Sequence, residues 1–219
     1  MFGLFKRSNG KDSAKPSLDA IRFDTTGYES EGEPDQGGVR VWFTPEGDGV
    51  ALYFFGKSPD LLADAQSVAD LRVFYEGVLK AAGVRLVETE VCRAGGCPAV
   101  RVVFKTPQQP SGMTYVGSLT IPFRDFSFVI KVQSEEWGTT GGREAILLAR
   151  RLATGEEPSF NENRMSLPGW EPDGAEFDES FPDHPVSRVR RVLRHVAGSL
   201  LIEPAVVRLP GFLLPEPHA

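Results

Sequence analysis

Cysteine and histidine are scarce in this chain of 219 residues, which has two of the first and three of the second. Cys92 and Cys97 are too few for a disulfide framework at this length, so a reducing compartment and a cytoplasmic location are expected. His184, His195 and His218 all lie at the far end of the chain from the thiols. Spacing therefore assembles no four-ligand zinc site, and neither a metal nor a cofactor is expected. Long apolar runs are missing too. Lys, Arg, Glu or Gly interrupts every hydrophobic stretch before the roughly 18 to 20 residues needed to cross a bilayer, so no membrane partner is expected. Positive charge is in deficit, with a formal net charge of -6, which argues against a partner bound through a phosphate backbone such as nucleic acid. The start, Met1-Phe2-Gly3-Leu4-Phe5-Lys6-Arg7, places its apolar patch before its basic pair, the reverse of a secretory signal.

What is present suits one soluble core. Hydrophobic residues make up 41% of the chain, enough for a single bacterial domain with a tail. Residues 1–38 are rich in Gly, Ser, Asp, Glu and Lys and read as a mobile leader and irregular lead-in, with Leu18, Ile21, Phe23 and Tyr28 as its possible anchors. Regular alternation begins at Val39. Val39, Val41 and Phe43, the turn Pro45 to Gly49 and then Val50 to Phe55 form a β-hairpin. From Asp64 to Ala82 the period becomes helical, with Val68, Leu71, Tyr75, Val78, Leu79 and Ala82 on one stripe. Val84 to Cys92, Cys97 to Lys105, Met113 to Phe123 and Phe126 to Gln133 read as four strands joined by short turns. A second helix opens at Thr140 and ends at Gly155.

This order predicts an α+β fold. It is a two-layer sandwich of about six antiparallel strands with two helices on one face, occupying residues 39–155. Residues 156–219 form a Pro-rich, acidic arm, with Trp170, Phe177 and Phe181 as clips, followed by a third helix from about Asp183-His184-Pro185 to Leu201.

Gly95-Gly96-Cys97-Pro98-Ala99 before one strand, Tyr115 in the next and Phe126-Ser127-Phe128-Val129-Ile130 in the last, together with the element order, resemble the PsbP-like fold over residues 39–154. That fold is shared by an extrinsic photosystem II subunit, a Ran-binding import factor, bacterial lipoproteins and chaperones of type VI secretion effectors. The resemblance implies a binding or assembly role and carries no functional residue.

Several candidate sites can be weighed on residues alone. Cys92 and Cys97 flank a tight turn, where a bridge is sterically possible, yet two ordinary thiols suffice. Gly138-Thr139-Thr140-Gly141-Gly142 could cradle an anion at a helix start, but it lacks the Lys-Ser/Thr ending of a phosphate loop and has Glu135, Glu136 and Glu144 for neighbours. No nucleophile is paired with His184 or His195 in a triad pattern. The third helix carries Arg188, Arg190, Arg191 and Arg194 beside the stripe Val186, Val189, Leu193, Val196 and Leu200. Its simplest partner is the chain's own acidic arm; an acidic protein comes next, and nucleic acid or a membrane last.

Adjacent strand residues point to opposite faces, so some of the aromatics around Trp42 and Phe54 must leave the core side. Trp42, Phe54 and the four arginines are the expected partner-binding residues. The function expected is a non-enzymatic protein-binding or assembly module. The alternatives are a small-molecule enzyme with a cleft between sheet and arm, or a structural protein that forms homo-oligomers.

Overall fold

The computed structural model describes residues 16–32, 38–62, 65–161 and 164–215. Most of the expected mobile leader, and Asp64 at the expected helix start, lie outside these residues. A turn of 3-10 helix at Leu18–Ala20 leads into β1 (Ile21–Arg22), β2 (Glu29–Glu31), β3 (Val39–Phe43) and β4 (Gly49–Phe55). Then come α1 (Val68–Ala81), β5 (Arg85–Ala94), β6 (Cys97–Pro107), β7 (Met113–Pro122), β8 (Ser127–Glu135) and α2 (Gly142–Ala153). The arm contains β9 (Ser159–Asn161) and β10 (Arg164–Ser166), and the chain continues through α3 (Pro185–Ser199), β11 (Leu201–Ile202) and α4 (Pro204–Val207).

The main sheet runs β2-β3-β4-β8-β7-β6-β5 and is antiparallel throughout. The α+β class, the antiparallel sheet and the layered build are as the sequence indicates. There are seven strands rather than six because Glu29–Glu31 adds an edge strand against β3. The chain leaves the sheet after β4, travels through α1 to the far edge, and returns by three hairpins until β8 zips onto β4. Ser67 caps α1 reciprocally with Asp70, which fixes where that helix begins.

The helix layer differs from the sequence expectation, which put the first two helices on one face. The large core packs α3 on the sheet, through Val186, Val189, Leu193 and Val196 against Tyr115, Leu119, Ile121, Phe128 and Ile130. Leu18, Ile21 and Phe23 of the lead-in belong to this same core. A second, smaller core forms where Leu71 of α1 meets Leu86, Val91, Val100 and Val102. Ala99 and Val103 lie in the first core and Val100 and Val102 in the second, so by strand alternation α1 and α3 sit on opposite faces. The centre of α1's buried stripe runs through Val68, Tyr75 and Leu79, and Val78 is exposed at its rim.

The second helix does not cover the sheet. Of its apolar residues only Leu147 is buried, while Ile146 and Leu152 are exposed. Arg143, Glu144, Arg150 and Arg151 interrupt its stripe, whereas the stripe of α3 is continuous, and burying each Val or Leu contributes about 1.5 to 3 kcal/mol. Gly117 permits the close approach of α3, because a Cβ there would come within 2.5 Å of Leu193.

Candidate functional site

The face opposite α3 is covered by α1 only at its β5–β6 end. Over β3, β4 and most of β8 and β7 no described helix covers it, and the side chains alternate there as the register requires. Val41, Phe43, Ala51, Tyr53, Val116 and Lys131, with Trp137, line a groove of about 400 Å³. Trp137 is 79% exposed, Phe55 39% and Phe43 37%. Tyr53 and Phe55 stack with ring centroids 5.9 Å apart, and Lys131 Nζ sits 5.5 Å over the Tyr53 ring. A smaller depression lined by Phe55, Tyr75, Val129 and Lys131 continues the surface towards α1.

Trp42 and Phe54, expected to meet a partner, lie on the other face. The Trp42 ring stands edge-on to Phe23 at 5.2 Å, and Phe54 packs on Phe126 and Phe128 at 5.9 and 5.5 Å. The residues that do face outward are their strand neighbours Phe43, Tyr53 and Phe55. A shift of one residue changes the face, and the sequence has aromatics at both parities.

Three of the four α3 arginines are bound within the chain. Arg188 grips Asp48 through Nε and Nη2 and donates to Ser134 and to the Asp183 carbonyl. Arg190 reaches Glu88 at 2.8 Å, Asp178 at 2.8 Å and the Asp173 carbonyl at 2.5 Å. Arg191 meets the Pro182 carbonyl and Glu46, while Arg194 is exposed. The acids that neutralise this helix come from strands and turns as well as from the arm, since Asp48, Glu88 and Glu46 lie outside it.

The arm is fastened by α2. The fully buried Arg143 guanidinium donates to the carbonyls of Pro172 and Gly174 and to Asp178 and Ser187. The rings of Phe177 and Phe181 lie 5.9 and 5.6 Å from it. Trp170 and Phe177 flank Leu147 across a shallow depression. The sequence clips therefore work largely through an arginine that no apolar pattern marks.

A buried polar cluster lies between β6, β7 and the first turns of α2 and α3. Lys105 Nζ is 2.7 Å from Asp173, and Tyr115 donates to the same carboxylate at 2.8 Å. Burial pushes the Asp173 carboxyl up, but Lys105 and the Tyr115 hydroxyl outweigh it and hold the group below its ordinary range. Burial, then the Asp173 and Glu144 charges, push the Tyr115 phenol well above its usual value. Burial, reinforced by Arg143, Lys105 and Arg188, lowers His184 to about 4 against the pull of Asp173. His184 also caps α3, its Nδ1 accepting from Val186 N at 3.3 Å.

Among the described residues one group has the composition to hold a cation, namely Glu136, Glu144 and His184. Sequence spacing misses it, because its members come from a loop and two helices 48 residues apart from end to end. The glycine loop is not an anion cradle in this arrangement. The Gly141 amide donates to Glu136 at 3.0 Å, so a carboxylate of the chain already holds it.

Cys92 pairs in register with Ala99, and Cys97 with Ala94. The thiols are therefore diagonal rather than opposite, and both are free. Burial raises both thiols, most directly opposed by Arg101 at Cys92 and by Arg93 at Cys97; raised thiols are poor nucleophiles. A polar cleft of about 360 Å³ does lie between sheet and arm, bordered by Arg72, Arg85, Glu88, Asp173 and Arg190. Arg190 and Asp173 are already paired with Glu88 and Lys105. No described helix is long and apolar enough to cross a membrane.

No family model matches the chain, and no curated protein matches it either. Among solved structures it is similar to the solution structure of cyanobacterial PsbP (CyanoP) from Synechocystis sp. PCC 6803. Identity is 14%, the match covers 62% of this chain and 85% of that one, and the TM-score is 0.35.

Proposed function

We propose that this chain is a protein-binding or assembly module of a reducing, cytoplasmic compartment, and that its partner docks on the open sheet face. The observation that carries this reading is the strip formed by Phe43, Tyr53, Phe55 and Trp137, apolar and accessible on a face that no described helix covers there. Contiguous aromatic surface of this kind favours burial against a partner, and aromatics supply large contact area for little lost side-chain freedom. The arginines of α3, the other candidate surface, support the reading less well, since Arg188 and Arg190 are committed within the chain.

The test is affinity capture from the protein's own cells with the wild type and with Phe43→Glu/Trp137→Ala in parallel. Partners retained by the first and lost by the second support the reading, provided both proteins melt alike. An identical set of partners for the two proteins would overturn it. Concentration-dependent sedimentation lost in the double variant would instead assign the face to a second copy.

A further inference from the structure

Glu136, Glu144 and His184 meet where the loop after β8 converges with the first turns of α2 and α3, with one donor atom of each within 4.8 Å of the other two. The side chains of His184 and Glu136 are only 8% and 6% exposed. His184 Nε2 and Glu144 Oε2 are shut off from solvent and have no hydrogen-bond partner in the protein. Unpaired buried polar atoms are rare, and His184 Nε2 stands 3.6 Å from Glu136 Oε1, beyond hydrogen-bond reach, so the group calls for an occupant. Lys105 does not fill the role, since Nζ lies 2.7 Å from Asp173 and 3.7 Å from the other oxygen of Glu144. Glu136 is already aimed, its oxygens accepting from Gly141 N at 3.0 Å and Met113 N at 2.9 Å. Each of those oxygens keeps a further lone pair.

The geometry points to a binding site for one divalent transition-metal ion, zinc the expected occupant, held by Glu136, Glu144 and His184. Two carboxylates and an imidazole are the donors that zinc accepts, and three protein ligands leave a fourth position to solvent. Calcium prefers six or more oxygens, which this site does not offer. The amides of Gly141 and Met113 supply the outer hydrogen bonds that orient a ligating carboxylate. A depression of about 470 Å³ bordered by Thr114, Gly138 and Thr140 touches the site at Glu136.

Because His184 Nδ1 accepts from Val186 N, the metal-free ring carries its proton on Nε2. The ion takes that position and the ring proton moves to Nδ1, where it would oppose the Val186 N–H; the ring therefore has to turn out of its capping contact, and the Val186 amide loses its acceptor. No net proton is released at this residue, and Val186 becomes a reporter of occupancy. The site adjoins the open sheet face, since Trp137 follows Glu136 and borders both depressions, but it does not rest on the reading built on that face.

The experiment uses full-length protein stripped with chelator and titrated with zinc chloride, followed by calorimetry, melting and the Val186 amide resonance. One equivalent should bind, raise the melting temperature and shift Val186. Glu144→Gln and His184→Asn should each weaken binding by about tenfold or more. Asn is a good N-cap, so His184→Asn keeps α3 capped and separates lost metal from lost fold. Cys92→Ser/Cys97→Ser should bind as the wild type does. The proposal is overturned if folded wild type takes up no zinc, if Glu144→Gln and His184→Asn bind as tightly as the wild type, or if the cysteine double variant alone loses the metal. A water molecule is then the occupant.

Discussion

Gly117 of β7 lies directly under Leu193 of α3, close enough that a Cβ would come within 2.5 Å of Leu193 Cδ1 and 2.6 Å of Val189 Cγ1. These two atoms belong to packed, fully buried side chains and have no space to retreat into. Gly117→Ala is therefore expected to lower stability by about 1 to 3 kcal/mol through overpacking. A denaturant midpoint equal to that of the wild type would show that α3 is less firmly seated than its burial indicates.

Removing α3 altogether should be far more damaging. A chain ended after Gly155 loses Val186, Val189, Leu193 and Val196 from the main core and exposes Leu119, Ile121, Phe128 and Ile130 on the sheet. The truncated protein is expected to be insoluble, or to melt without a cooperative transition. A soluble fragment with the wild-type melting temperature would contradict this.

Arg143→Met removes a guanidinium that bonds two carbonyls, Asp178 and Ser187 in the absence of solvent. Breaking one side of such a buried network costs about 3 to 5 kcal/mol. Faster hydrogen exchange should concentrate in residues 170–181, the segment it fastens. Arg143→Lys should rescue little, because an ammonium lacks the planar fork.

Alkaline stability should report on α1. Burial raises the Tyr75 phenol to about 12 from its ordinary 10. A raised folded value means that the native state keeps its proton while the unfolded chain loses it. The contribution is thus complete below pH 10 and is lost as pH rises through about 12. The loss reaches about 3 kcal/mol. Tyr115, also raised, acts in the same direction. Tyr75→Phe should remove the Tyr75 share of the decline in a denaturation series from pH 9 to 12, and an unchanged slope would place Tyr75 in solvent.

Zinc occupancy should couple to folding. If Glu136, Glu144 and His184 hold an ion only in the native state, ligand at about 100 times its dissociation constant adds roughly 2.7 kcal/mol of stability. Chelator should remove that increment from the wild type and leave His184→Asn unaffected, as read by thermal melting.

Local pattern alone was enough for the strands β3 to β8, the hairpin turn at Gly95 and Gly96, and the existence of α1, α2 and α3. Each rests on periodicity or on a residue whose backbone preference acts within a few positions. Gly95 and Gly96, both at positive φ, show this directly. The apolar stripe of α3 and the anchors Leu18, Ile21 and Phe23 were also legible as surfaces needing cover. Which surface covers which was not. Whether Trp42 or Phe43 faces α3 depends on a register set by β2, β4 and the helix together, and a shift of one residue reverses it.

The assignment of helices to faces likewise follows from competition for burial, in which the continuous stripe of α3 outweighs the charged stripe of α2. Glu136, Glu144 and His184 carry no signal in sequence at all. Their meeting is decided by three chain segments converging in space; the bonds from Gly141 and Val186 are local, whereas the bond from Met113 forms only once β7 and β8 are paired.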